Sequence, residues 1–291
     1  MLQIENEYLL AGFRHYGAEM ISLFDKHSKT EHVWQADTAF WGWYAPVLFP
    51  IVGRCFNDKI KIKDTPYTIE KHGFARKFNF DLLEHKADEI TFLLKSNRET
   101  LLQYPFQFEF FIKYRLEGKQ LITTYEVANK SSEEMPFCIG GHPALNVPFN
   151  DEERYEDYYI EFPEDKFLDR YFINESGFFN GQTRAILDGD NKLWLHEQIF
   201  KDDALIFKKV QSRTVFLKSK LNKSYLSFNF DDFNYLGLWA KPRAKYVCIE
   251  PWIGCSDADG FSGEMNEKED VIELLPSKTF SCCFKLGIHT E

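Results

Sequence analysis

No stretch of this 291-residue chain approaches the roughly 20 apolar residues that a helical membrane span requires. The opening Met1-Leu-Gln-Ile-Glu-Asn-Glu lacks both the cationic and the apolar segments of a secretory signal. The expectation is a soluble, cytoplasmic protein with no membrane partner. Basic runs are equally short, and 35 Lys+Arg against 45 Asp+Glu give a net charge of -10, leaving nothing to neutralise a string of phosphates. A nucleic-acid partner is therefore not expected. The six cysteines (Cys55, Cys138, Cys248, Cys255, Cys282, Cys283) form no C-x-x-C pair, so neither structural zinc nor a disulfide scaffold is expected. The G-x-S-x-G elbow, the P-loop, G-x-G-x-x-G and H-E-x-x-H are all missing, which removes the common hydrolase, nucleotide-binding and zinc-protease readings.

Aromatic residues, by contrast, are abundant: 17% of the chain, 29 of them Phe, arranged in short alternating runs that favour strands over helices. Phe78-Asn-Phe-Asp-Leu-Leu-Glu and Glu89-Ile-Thr-Phe-Leu-Leu-Lys flank a polar turn. Phe108 to Leu116 and Gln120 to Val127 form a second hairpin candidate, with Gly118 at the bend. Later strands are read at Thr214–Lys218, Ser224–Phe230, Tyr235–Ala240, Tyr246–Glu250 and Ser277–Gly287. Helix signals are confined to single turns at Pro163-Glu-Asp-Lys and around Asn266-Glu-Lys-Glu. With no low-complexity linker or composition shift, the pattern predicts an all-β fold: one large antiparallel β-sandwich domain spanning residues 1–291.

Four segments place ionisable side chains beside Gly, Pro or Trp, the setting expected where a rigid strand opens onto a site. In Phe49-Pro-Ile-Val-Gly-Arg54, the arginine offers a fixed donor fork for hydroxyls, carboxylate or phosphate; a surface arginine on a turn is the alternative. Lys71-His72-Gly-Phe-Ala-Arg76 puts a histidine and an arginine four apart. In Ile139-Gly-Gly-His142-Pro, a constrained turn holds an imidazole, for which a structural role is the alternative. Tyr246-Val-Cys-Ile-Glu250-Pro-Trp252 ends an apolar strand in a glutamate, whose burial beside Trp252 would raise its pKa toward that of a general base working near pH 7. A glutamate merely closing an edge strand competes with this reading. Asp202 and Asp203 precede a short apolar strand, where turn capping and ligand binding compete. Trp41, Trp43 and Tyr44 suit either sugar stacking or packing.

Taken in this order, the Arg54 segment, His72-Gly, Gly-Gly-His142-Pro, the Asp before an apolar strand and Glu250-Pro-Trp resemble the aldose 1-epimerase (galactose mutarotase) superfamily, in particular its bacterial branch found with lactose or galactose catabolism. The resemblance covers about residues 4–288. It implies a β-supersandwich, a small-molecule sugar substrate, and no metal or other cofactor. By motif, Glu250 resembles the catalytic base and His142 the acid that interconvert α and β anomers of an aldohexose. His72, Arg54 and Asp203 resemble residues that hold sugar hydroxyls, beside Trp252. Arg76 departs from the sugar-only pattern and leaves a hexose 6-phosphate substrate open. A non-catalytic carbohydrate-binding sandwich is the reading from another functional class.

Overall fold

In the hairpin Phe108–Glu117/Gln120–Asn129, sequence alternation becomes register directly. Phe108, Phe110, Ile112, Tyr114 and Leu116 face inward and are buried, while Lys113 and Arg115 face outward. The computed structural model describes residues 2–290. Its largest sheet has nine antiparallel strands in the order Lys192–Trp194, Tyr158–Glu161, Thr214–Ser219, Tyr225–Asn229, Thr279–His289, Gln120–Asn129, Phe108–Glu117, Glu89–Lys95 and Asp81–His85.

A second sheet of eight strands carries the site. Its path runs Phe179–Asp188, Phe167–Ile173, Leu205–Phe207, Tyr235–Trp239, Tyr246–Ile253, Ile139–Gly141 and Val47–Leu48, and Ala144–Asn146 also pairs with Tyr246–Ile253. Leu2–Glu5, Leu9–Phe13, Met20–Asp25 and Thr30–Glu31 make a four-stranded sheet. The two large sheets meet through Phe49, which packs on Phe108 and Phe110, and through Gly141, which lies against Tyr125 and Phe284. One cluster of buried apolar side chains extends from Ile4 to Ile288, so the all-β sandwich reading holds.

Two local expectations change. Pro163-Glu-Asp-Lys forms a turn and not a helix, because the Asp165 carboxylate accepts the Gln211 and Ser212 N–H groups and ties the segment to a neighbouring loop. The α-helix among the described residues is Arg98–Leu101, started by Asn97, whose side chain accepts the Glu99 and Thr100 N–H groups. The hairpin Phe167–Ile173/Phe179–Asp188 carries no apolar alternation on its second strand, which is largely exposed.

Directly after the strand Thr30–Glu31, His32 is buried with neither ring nitrogen hydrogen-bonded, its ring edge-on to Phe149 at 5.6 Å. Burial lowers its pKa to about 4, against the pull of Asp25. The unfolded chain then binds more protons than the folded one between about pH 6.5 and pH 4, so stability falls as the pH is lowered through that window. This one residue contributes a slope of about 1.4 kcal/mol per pH unit. Urea denaturation of His32→Leu should show a flatter acid limb than the parent; parallel limbs would refute the assignment.

Candidate active site

Every residue of strand Tyr246–Ile253 is buried, and alternation puts Tyr246, Cys248, Glu250 and Trp252 on one face. On one side Glu250 pairs with Gly237. On the other, Gly140 pairs with Trp252 and Ala144 with Cys248, so the residue midway, His142, stands opposite Glu250. Its Nε2 lies 3.1 Å from Glu250 Oε2. The apposition depends on the Trp252 indole fitting flat between two strands. A Cβ on Gly140 would come within 2.7 Å of Trp252 Cδ1, and one on Gly237 within 2.7 Å of Trp252 Cζ2.

Aromatic rings fix the imidazole. Trp41 stacks on His142 at 4.9 Å, Trp239 meets it edge-on at 5.9 Å, and His72 stands perpendicular to it at 5.8 Å. His72 is delivered by an unusual backbone: it and Gly73 both have φ of +68°. The chain there presses on Phe49, whose carbonyl accepts the Phe74 and Ala75 N–H groups, and a Cβ on Gly73 would overlap that carbonyl. His72 Nδ1 accepts the Gly53 N–H at 3.1 Å, and burial keeps the ring neutral. Its remaining proton is therefore on Nε2, as a donor.

These groups line an open cleft of about 610 Å³ with Asp203, Trp239 and Trp252. Asp203 has φ of +68° and its Oδ1 accepts the Ala204 N–H. Arg170, almost wholly buried, holds this segment by donating to the carbonyls of Asp202 (3.0 Å) and Ala204 (3.1 Å) while its guanidinium covers Phe172. Asp202 approaches Arg184 at 3.7 Å, so Asp203 is the acid that reaches the cleft.

Burial raises the Glu250 carboxyl well above the usual carboxylate range. The Asp203 charge adds to this, while Lys71, the largest opposing influence, and the Trp252 indole pull it back. His142 is lowered to about 3, again chiefly by burial, with Arg76 and Lys71 contributing. Both shifts favour uncharged forms, so the two groups share one proton and the pair as a whole is kept from carrying separated charges. His142 Nδ1 is buried without a hydrogen-bond partner, and Glu250 Oε2, equally buried, has His142 Nε2 beside it at 3.1 Å. Unpaired polar atoms facing a cleft are positioned to receive a polar ligand.

Arg54 is a correction. Its guanidinium makes a two-pronged pair with Asp58 (2.7 and 2.8 Å) and donates to the Ser176 carbonyl, and it is not among the residues lining the cleft. An acid four residues ahead, in the turn Phe56–Asp58, satisfies the fork locally, and only the backbone of neighbouring Gly53 reaches the site. Arg76 does line the cleft, over the Trp43 ring, and donates to the Lys71 carbonyl at 2.8 Å. Sequence reasoning missed Arg170 and Trp239. The alternation Tyr235-Leu-Gly-Leu-Trp239 carried a signal for the second, since it puts Trp239 on the face of Gly237.

The model of the family described as aldose 1-epimerase matches residues 1–264, a span containing every residue just placed in the cleft. The chain belongs to the aldose 1-epimerase family. Two relatives from Lactococcus lactis subsp. lactis, the chromosomal and plasmid forms of protein LacX, are each 36% identical over 297 residues, covering 99% of this chain and 99% of their own. Among solved structures, a galactose mutarotase related enzyme from Lactobacillus acidophilus superposes with a TM-score of 0.94 at 36% identity, covering 99% of this chain and 97% of its own. A galactose mutarotase-like protein from Lactobacillus casei gives 0.93 at 29%, covering 99% and 100%. Membership in the aldose 1-epimerase family points to isomerase chemistry on a sugar, and the lactose- and galactose-associated branch agrees with the LacX relatives.

Proposed function

We propose that the protein interconverts the α and β anomers of an aldohexose, with Glu250 as base and His142 as acid. The observation that supports this most is the cross-strand apposition of the two groups, 3.1 Å apart at one end of an open cleft. Anomer exchange moves protons on two oxygens attached to the same carbon, so its acid and base must be close neighbours. Ring opening starts from the carboxylate and imidazolium. Glu250 takes the anomeric hydroxyl proton, His142 protonates the ring oxygen, the C1–O5 bond breaks, and the C1 carbonyl forms. The pair ends as neutral carboxylic acid and neutral imidazole, the state that burial favours. The pocket thus stabilises the protonation state that accompanies the open chain. Rotation about C1–C2 and reversal of both transfers close the ring on the other face. His72 Nε2–H and Asp203 hold hydroxyls, and Trp252 supplies an apolar wall. Magnetisation-transfer NMR over a panel of free and phosphorylated aldoses tests this. Saturable sugar binding without accelerated anomer exchange would instead support a binding protein.

A second reading concerns the substrate's charge. Lys71, Arg76, Lys201 and Lys241 line the cleft, and none of them has a carboxylate partner among the described residues. Facing them are Asp203 and Glu250, whose charged form burial disfavours. This excess of cations within a chain of net charge -10 favours a hexose 6-phosphate. If that is the substrate, Arg76→Ala should lower its kcat/KM by roughly 10–100-fold, the worth of a charge-assisted hydrogen bond, with a smaller effect on the free hexose. Equal losses on both would count against phosphate recognition.

A further inference from the structure

Cys248 takes no part in the chemistry above, yet it stands two residues before Glu250 on the same strand face and pairs across the ladder with Ala144, two residues after His142. One donor atom from each of His142, Cys248 and Glu250 lies within 4.8 Å of the other two, and all three residues are buried. The geometry points to a binding site for one thiophilic divalent cation, of the class of Zn²⁺, held by a His142 ring nitrogen, the Cys248 thiolate and a Glu250 oxygen. Its occupation would block the acid–base pair.

Tetrahedral zinc with nitrogen, oxygen and sulfur ligands sets donors roughly 3.3–3.8 Å apart, so modest side-chain rotations close the triangle. His142 Nδ1 is buried and unpartnered, and Glu250 Oε2 is buried with His142 Nε2 beside it at 3.1 Å. Binding converts the Cys248 thiol to thiolate and draws the proton shared by Glu250 and His142 off the pair, both protons leaving to solvent, and the cation takes the place of that proton between the two side chains. His142 and Glu250 line the cleft while Cys248 lies behind them, so the cation enters from the cleft and its fourth position faces back into it. The mixed sulfur, nitrogen and oxygen set selects Zn²⁺, or Co²⁺ as its spectroscopic substitute, over Mg²⁺ and Ca²⁺. Three protein ligands with one open position is also the arrangement of catalytic zinc sites. Here, however, the metal ties up the two groups that must exchange protons with the sugar, so the expected outcome is inhibition.

The test uses the full chain without any sugar. Titration with Co²⁺ should produce a near-ultraviolet thiolate-to-cobalt band that saturates at one equivalent, collapses on adding Zn²⁺, and is absent in both Cys248→Ala and Cys248→Ser. Zn²⁺ should also inhibit anomer exchange by the parent. Cys248→Ala should keep its basal exchange and require more than about tenfold more Zn²⁺ for the same inhibition, a loss that even outer-shell changes can produce. No band in the parent, or a band that persists in both Cys248 variants, would overturn the site. So would equal zinc sensitivity of parent and Cys248→Ala. The cobalt spectrum is independent of the sugar substrate, so its failure is distinguishable from failure of the epimerase reading.

Discussion

Glu250→Gln and His142→Asn are each expected to reduce anomer turnover by at least about 10²-fold while leaving sugar affinity within roughly tenfold, as measured by exchange NMR and by calorimetric titration. A positioned acid or base typically contributes about 10²–10⁴-fold, and both replacements preserve shape while removing the transferable proton. Because the two groups carry one proton between them, the double variant should be little worse than either single one; a product of the two losses would show that they act separately. Glu250→Gln carries a second signature. Burial raises the pKa of the folded Glu250 carboxyl well above its ordinary value of 4.5, whereas the unfolded carboxyl loses its proton near that value. The parent therefore sheds stability as pH rises from about 4.5 toward the folded pKa, and Glu250→Gln should not. A thermal melt of this variant that tracks the parent at every pH would contradict the buried, protonated carboxyl.

Gly73→Ala should cost about 2–5 kcal/mol in urea denaturation, combining the left-handed backbone penalty with overpacking. The methyl group would meet the Phe49 carbonyl at a φ of +68°, and the backbone on the other side of that carbonyl leads into the core through Phe108 and Phe110. Neither side has room to yield. The folded fraction that remains should also bind sugar more weakly, because relieving the overlap moves His72 off the Gly53 N–H. A loss below about 0.5 kcal/mol would mean that the crossing is softer than its packing implies.

Strands with one wet and one buried face announced themselves, as Phe108–Glu117 did through strict alternation. Phe179–Asp188 did not, because its stability comes from pairing rather than from a buried face and its side chains carry no period. At the site, Glu250 and His142 were legible because Gly, Pro and Trp mark tight strand ends, and one of those glycines, Gly140, also makes a wall of the slot for Trp252. Arg54 misled because the sequence does not show whether a guanidinium satisfies itself locally, and Asp58 provides exactly that partner. The grouping of His142 with Cys248 was invisible, since spacing rules find ligands along one chain segment and this pair meets only through strand register. Arg170 was hidden for a related reason: its partners are backbone carbonyls, which leave no trace in side-chain identity.

Thr279–His289 lies in the middle of the nine-stranded sheet, hydrogen-bonded on one side to Gln120–Asn129 and on the other to Tyr225–Asn229. A ribosome therefore releases both flanking strands before the one that joins them. Gln120–Asn129 waits about 150 residues for its neighbour, roughly eight to thirty seconds at ordinary rates of synthesis. Throughout that interval the nascent chain carries one open β edge rich in apolar side chains, joined by a second once Tyr225–Asn229 has been made, the kind of surface that pairs with other chains. Synthesis speed over the last third of the message, and the supply of chaperones that shield open edges, should thus govern how much of this protein reaches the native state, and a chain stopped before residue 279 should aggregate instead of folding in part.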